Sequence, residues 1–164
     1  MKIFSKIIAV VLFIFSCSHT WAWNYLDVPG TACRPRSQST TAGLYYKYTG
    51  ELQNTSDKNI LVQCSFQLKD SELTENYSAY VFGSAIGDEY SFVYCKLYVA
   101  NSYSGKWART DEASSGAKKG EHYRIQMGIV NAIRDPQGEG INVASLQCKM
   151  EPNSTIHGIR LFTR

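Results

Sequence analysis

Residues 90–99 read Tyr-Ser-Phe-Val-Tyr-Cys-Lys-Leu-Tyr-Val. Val93, Cys95, Leu97 and Val99 occupy one parity, and Tyr90, Phe92, Tyr94, Lys96 and Tyr98 occupy the other. Side chains of a strand point alternately to opposite faces, so this period of two reads as a β-strand with one face in a core. The aliphatic parity is expected to face inward. A lysine is almost never fully buried without a partner, so Lys96 marks the tyrosine row as the outer face.

The same period recurs on both sides of this stretch. Residues 43–53, Gly-Leu-Tyr-Tyr-Lys-Tyr-Thr-Gly-Glu-Leu-Gln, are tyrosine-rich and read as a strand. In residues 60–67, Val62, Cys64 and Phe66 share a face; in residues 77–82, Ala79 and Val81 oppose Tyr80 and Phe82. Tyr123, Ile125, Met127 and Ile129 mark another strand, with His122, Arg124 and Gln126 facing away. Leu146, Cys148 and Met150, and then residues 156–162, supply the last two. Residues 101–120 form the longest polar interruption, broken only by Trp107 and Ala108, and 135–140 (Asp-Pro-Gln-Gly-Glu-Gly) read as a loop. Strand–helix alternation is absent, which argues against a parallel α/β sheet. The expected fold is all-β: an antiparallel β-sandwich of seven or eight strands, jelly-roll or immunoglobulin-like. A closed β-barrel is the runner-up.

The first 22 of the 164 residues read as a signal peptide. Lys2 and Lys6 precede an apolar run over residues 7–15, and a more polar segment ends in Thr20-Trp21-Ala22. The run is too short for a transmembrane helix, which needs about 20 apolar residues. Cleavage before Trp23 leaves residues 23–164 as a single domain in a secreted or periplasmic setting. The alternative is a lipoprotein anchored through Cys17, since Ile14-Phe15-Ser16-Cys17 has the outline of a lipobox. Without Lys2 and Lys6 the formal charge falls from +3 to +1. No basic stripe is visible along the chain, which excludes a dedicated nucleic-acid binder.

Cys33, Cys64, Cys95 and Cys148 remain, an even set that in an exported domain implies disulfides. Three pairings are possible. Cys33–Cys64 and Cys95–Cys148 are expected, because Cys95 and Cys148 sit mid-strand on faces of similar apolar character and Cys33 lies in a lead-in that could be tied to Cys64. No two of these cysteines are close enough for a zinc-binding or redox-active C-x-x-C pair. Closing loops of these lengths contributes about 4 kcal/mol each on chain-entropy grounds.

The order of Cys33, Tyr48-Thr49-Gly50 with Asn54, Val62-Gln63-Cys64, 92–97 (Phe-Val-Tyr-Cys-Lys-Leu) and 145–150 (Ser-Leu-Gln-Cys-Lys-Met) resembles a group of small exported bacterial proteins. The resemblance covers roughly residues 33–162. It implies a two-disulfide β-sandwich with first-to-second and third-to-fourth pairing, and it carries no catalytic residues and no substrate. Ser65 stands where the group often has proline.

Chemistry-bearing motifs are scarce. His122 and His157 begin no metal or catalytic motif, and no G-x-S-x-G, H-E-x-x-H or phosphate-binding loop is present. The adjacent pairs Asp88-Glu89 and Asp111-Glu112 read as turn residues, because neighbours in an extended chain do not converge on one bond. The 135–140 loop could hold calcium through oxygens, but it lacks EF-hand spacing. No cofactor and no metal are expected. The positive signal is tyrosine: eleven, with Tyr90, Tyr94 and Tyr98 beside Lys96 on one strand face as a possible binding face. The expected function is a non-enzymatic exported sandwich with a binding or structural role at the cell envelope or outside the cell. Its partner would be a surface protein or a glycan. The alternatives are a carbohydrate-binding module using the Tyr faces, or a small secreted hydrolase or lyase with a carboxylate or His122 as base.

Overall fold

The computed structural model describes residues 24–37, 42–66, 76–133 and 142–163. The expected signal segment 1–22 with Cys17, the end of the 60–67 stretch at Gln67, and the 135–140 loop lie outside the described residues. The described chain forms thirteen strands. They are β1 (Asn24–Pro29), β2 (Cys33–Pro35), β3 (Leu44–Tyr46), β4 (Leu52–Asn54), β5 (Ile60–Phe66), β6 (Asn76–Ala85), β7 (Ser91–Asn101), β8 (Trp107–Arg109), β9 (Ala113–Ala117), β10 (His122–Gln126), β11 (Val130–Asn131), β12 (Asn142–Met150) and β13 (Ser154–Thr163). A 3-10 turn, Gly30–Ala32, separates the first two. No described helix is long and apolar enough to cross a membrane.

The strands make two sheets in which every pairing is antiparallel. The first runs β10-β6-β13-β4-β3, with β1 beside β13 and β11 beside β6. The second runs β2-β5-β12-β7-β8, with β9 also beside β7. Among the described residues both sheets end in open edges, so the fold is a sandwich and not a closed barrel. Its strand total exceeds the expected seven or eight because short edge segments share single partners: β8 and β9 divide the length of β7, as β10 and β11 divide β6.

The core lies between the sheets. Val81, Ile159 and Leu161 of the first sheet and Val93, Leu97, Leu146 and Met150 of the second are buried in one cluster. Cys33 pairs directly with Cys64 across β2 and β5, and Cys95 with Cys148 across β7 and β12. Both pairs are disulfide-bonded.

Three stretches fold differently from the periodicity reading. Residues 43–53 are not one strand but a hairpin, β3 and β4, because the chain reverses at 47–51. Gly50 supplies the φ of +92° that an L side chain rarely adopts. The polar stretch 101–120 contains β8, Trp-Ala-Arg, and β9, Ala-Ser-Ser-Gly-Ala, both laid along β7. The strand through Tyr123 stops at Gln126; Met127 is buried but Ile129 is 64% exposed.

Candidate ligand-binding faces

The sandwich presents two outer faces. On the second sheet, Val93, Cys95, Leu97 and Val99 point into the core, which leaves Tyr90, Phe92, Tyr94, Lys96 and Tyr98 outside. Their rings form a ribbon. Tyr90 and Phe92 stack with centroids 6.1 Å apart, Phe92 and Tyr94 lie at 6.2 Å, and Tyr98 contacts Trp107 of β8 at 6.2 Å. Cations stand over two of the rings: Lys118, just past β9, has its Nζ 4.7 Å from the Tyr90 centroid, and Lys149 of β12 has its Nζ 4.1 Å from that of Tyr94. Lys96 is paired with Glu112 at 3.2 Å. Glu151 accepts from the Phe92 backbone N–H and from the Tyr94 hydroxyl. Partial burial of the Tyr94 phenol, helped by Glu151, raises its pKa.

On the first sheet the register lines side chains up in cross-strand rows. One row runs Gln126, Tyr80, Arg160 and Asp27 over β10, β6, β13 and β1. Arg160 donates to both carboxylate oxygens of Asp27, at 2.6 and 2.8 Å, and this pairing holds the Asp27 pKa below the usual carboxylate range. Arg124 lies over the Tyr80 ring at 5.2 Å, and Phe162 meets that ring edge-on at 5.2 Å. Two depressions flank the row. One, of about 400 Å³, is lined by Ser78, Tyr80, Gln126, Ile129 and Phe162. The other, of about 440 Å³, lies over Gly158, between Phe82, His157, Arg160 and Asp27. Sequence reading missed this face because its members come from four strands; the alternation of Tyr80 and Phe82 against Ala79 and Val81 was the available signal.

The two histidines meet here. Gly83 pairs with Ile156 and Phe82 with Gly158, so His157 is an extra residue in β13, a β-bulge. Its ring stands edge-to-face with that of His122, 5.5 Å away, and its Nε2 is 2.8 Å from Ser84 Oγ. Burial holds the His157 pKa below its ordinary value, against the opposing pull of Glu51. Glu51 is itself bound to Lys47 Nζ at 2.6 Å, which lowers its own pKa. Among the described residues no carboxylate hydrogen-bonds either imidazole. Nor do three or more potential metal ligands cluster among the described residues.

No family profile matches the chain, and no curated protein matches it. Solved structures do. A xylan-binding module, CBM15, aligns with a TM-score of 0.50 at 11% identity, covering 87% of this chain and 97% of that one. The CBM36-1 domain of a multidomain xylanase from the hindgut metagenome of Trinervitermes trinervoides aligns with a TM-score of 0.49 at 12% identity, covering 84% and 96%. At this identity the likeness to the xylan-binding module is one of fold: a β-sandwich domain of comparable extent.

Proposed function

We propose that the protein is an exported, non-enzymatic β-sandwich that binds a glycan chain on the outer face of its first sheet. The observation that carries this reading is the pair of depressions on either side of the Tyr80–Arg160 row. Ligand sites are concave, mostly apolar and supplied with a few convergent polar groups. Here Tyr80, Phe82 and Phe162 offer ring surface to the apolar side of a sugar, and Gln126, Ser78 and Arg124 offer hydrogen-bonding groups to its hydroxyls. The polysaccharide ligand named for the CBM15 module fits the same reading. Export is supported by the two disulfides, which persist in oxidising compartments. Residues 1–22 are the signal in this reading; an exported chain should begin at Trp23, and a lipid adduct on Cys17 in its intact mass would refute that processing.

Affinity electrophoresis through xylan, mannan and mixed-linkage glucan tests the binding face. Retardation by at least one polysaccharide is expected, with Tyr80→Ala weakening it about tenfold, equivalent to about 1.4 kcal/mol. Gly158→Leu should block the second depression. Retention of full affinity by Tyr80→Ala, or no retardation by any of these polymers, would overturn the reading.

A further inference from the structure

The opposite face carries a different chemistry. Among the described residues five cations stand over the outer face of the second sheet: Lys96 and Lys149, Lys118 and Arg109 seated on aromatic rings or beside them, and Arg36, which reaches Gln147. Among the described residues the carboxylates bonded next to these cations are committed: Glu112 to Lys96, Glu151 to the Phe92 N–H and the Tyr94 hydroxyl, and Glu121 to the backbone N–H of Lys118. Among the described residues the ammonium groups of Lys118 and Lys149 and the guanidinium of Arg109 have no carboxylate partner. Asp88, Glu89 and Asp111 lie outside the strands.

A cation resting on a ring face keeps its charge turned outward and spends no carboxylate to hold its position. Tyr90 and Trp107 stay 56% and 61% exposed beside these cations. A polymer bearing regularly spaced negative groups meets a cation beside Tyr90, beside Tyr94 and beside Trp107, with exposed aromatic edge between them. We propose that this face binds an anionic polysaccharide, its carboxylate or sulfate groups held by Lys118, Lys149 and Arg109 and its sugar rings lying along the ribbon from Tyr90 to Trp107. This site stands apart from the one on the first sheet, and the two could be filled at once.

Affinity electrophoresis of the full domain through polygalacturonate, dextran sulfate and neutral dextran tests the proposal, with a fluorescent oligo-dT measured by anisotropy. Retardation by polygalacturonate or dextran sulfate is expected, the preference between them telling carboxylate from sulfate. It should weaken between about 0.05 and about 0.3 M salt, as exposed charges are screened. The double variant Lys118→Gln/Lys149→Gln should lose about tenfold in affinity while keeping its unfolding temperature, because both changes are on the surface. Trp107→Ala should also weaken binding, and Tyr80→Ala should not. The proposal is overturned if neither polyanion retards the protein or if the double variant binds as wild type does. It is also overturned if oligo-dT binds at least as tightly as both polymers. If Tyr80→Ala alone abolishes binding to the polyanion, the acidic chain sits on the first sheet, and the second-sheet proposal falls while the first-sheet reading stands.

Discussion

Val93 and Tyr94 are adjacent in the chain and opposite in environment: the first is fully buried, the second part-exposed under Lys149. Val93→Ala should therefore cost about 1–3 kcal/mol through lost burial and a residual cavity. Tyr94→Ala should cost less, since its ring has solvent on one side. Urea unfolding of both variants checks the order, and a larger loss for Tyr94→Ala would mean that the ribbon contributes chiefly to stability. The two faces of this strand were readable from residues 90–99 because parity alone decides them. The cations over the rings were not. Lys118 and Lys149 lie 28 and 55 positions from Tyr90 and Tyr94, and only the register of β7 with β9 and β12 brings them close.

Among the elements, β13 holds the most informative irregularity. Its bulge places His157 half-buried beside Ser84, His122 and the Lys47–Glu51 pair. Because burial depresses the His157 pKa in the fold, the unfolded chain takes up the proton first as the pH falls. Stability is then complete above the ordinary histidine value of about 6.5 and declines below it. The carboxylates of Asp27 and Glu51, whose pKa values are lowered by Arg160 and Lys47, exert the same sign of effect in a lower window, below their ordinary values. Unfolding temperature should drop between about pH 7.5 and pH 5 in the wild type, and His157→Gln should flatten that drop. An identical slope in the variant would rule out His157 as its source. The bulge shifts the inward parity from Ile156 to Ile159 and Leu161, a break in the period of two that reading residues 156–162 as one strand passes over. The β3–β4 hairpin was hidden for a related reason: Tyr45, Tyr46 and Tyr48 imitate strand alternation across a turn that depends on the backbone of Gly50. The strands within 101–120 escaped because β9, Ala-Ser-Ser-Gly-Ala, owes its place to the length of β7 and not to its own propensity.

For the whole molecule, the sandwich and its disulfides followed from periodicity and cysteine parity, whereas the distribution of charge between the faces needed the assembled sheets. Net charge says nothing about how charge is arranged, so a nearly neutral chain could still gather five cations on one side. Cys148→Ser removes the bridge that closes the longer loop, 53 residues apart in sequence, and leaves Cys95 unpaired in the core. It should cost about 2–5 kcal/mol in denaturant unfolding and lower the yield. A loss under about 1 kcal/mol would show that the hydrogen-bonded β7–β12 ladder holds without it. Both bridges lie within the second sheet, one joining β2 to β5 and the other β7 to β12. The first sheet has no covalent rung among the described residues, and β1 is held there by β13 alone. Under mechanical load the two sides would behave as different materials. A filament tugging on the first sheet can unzip β1 one hydrogen bond at a time, whereas tension between β7 and β12 must pass through sulfur, and those strands keep their alignment until that bond is reduced.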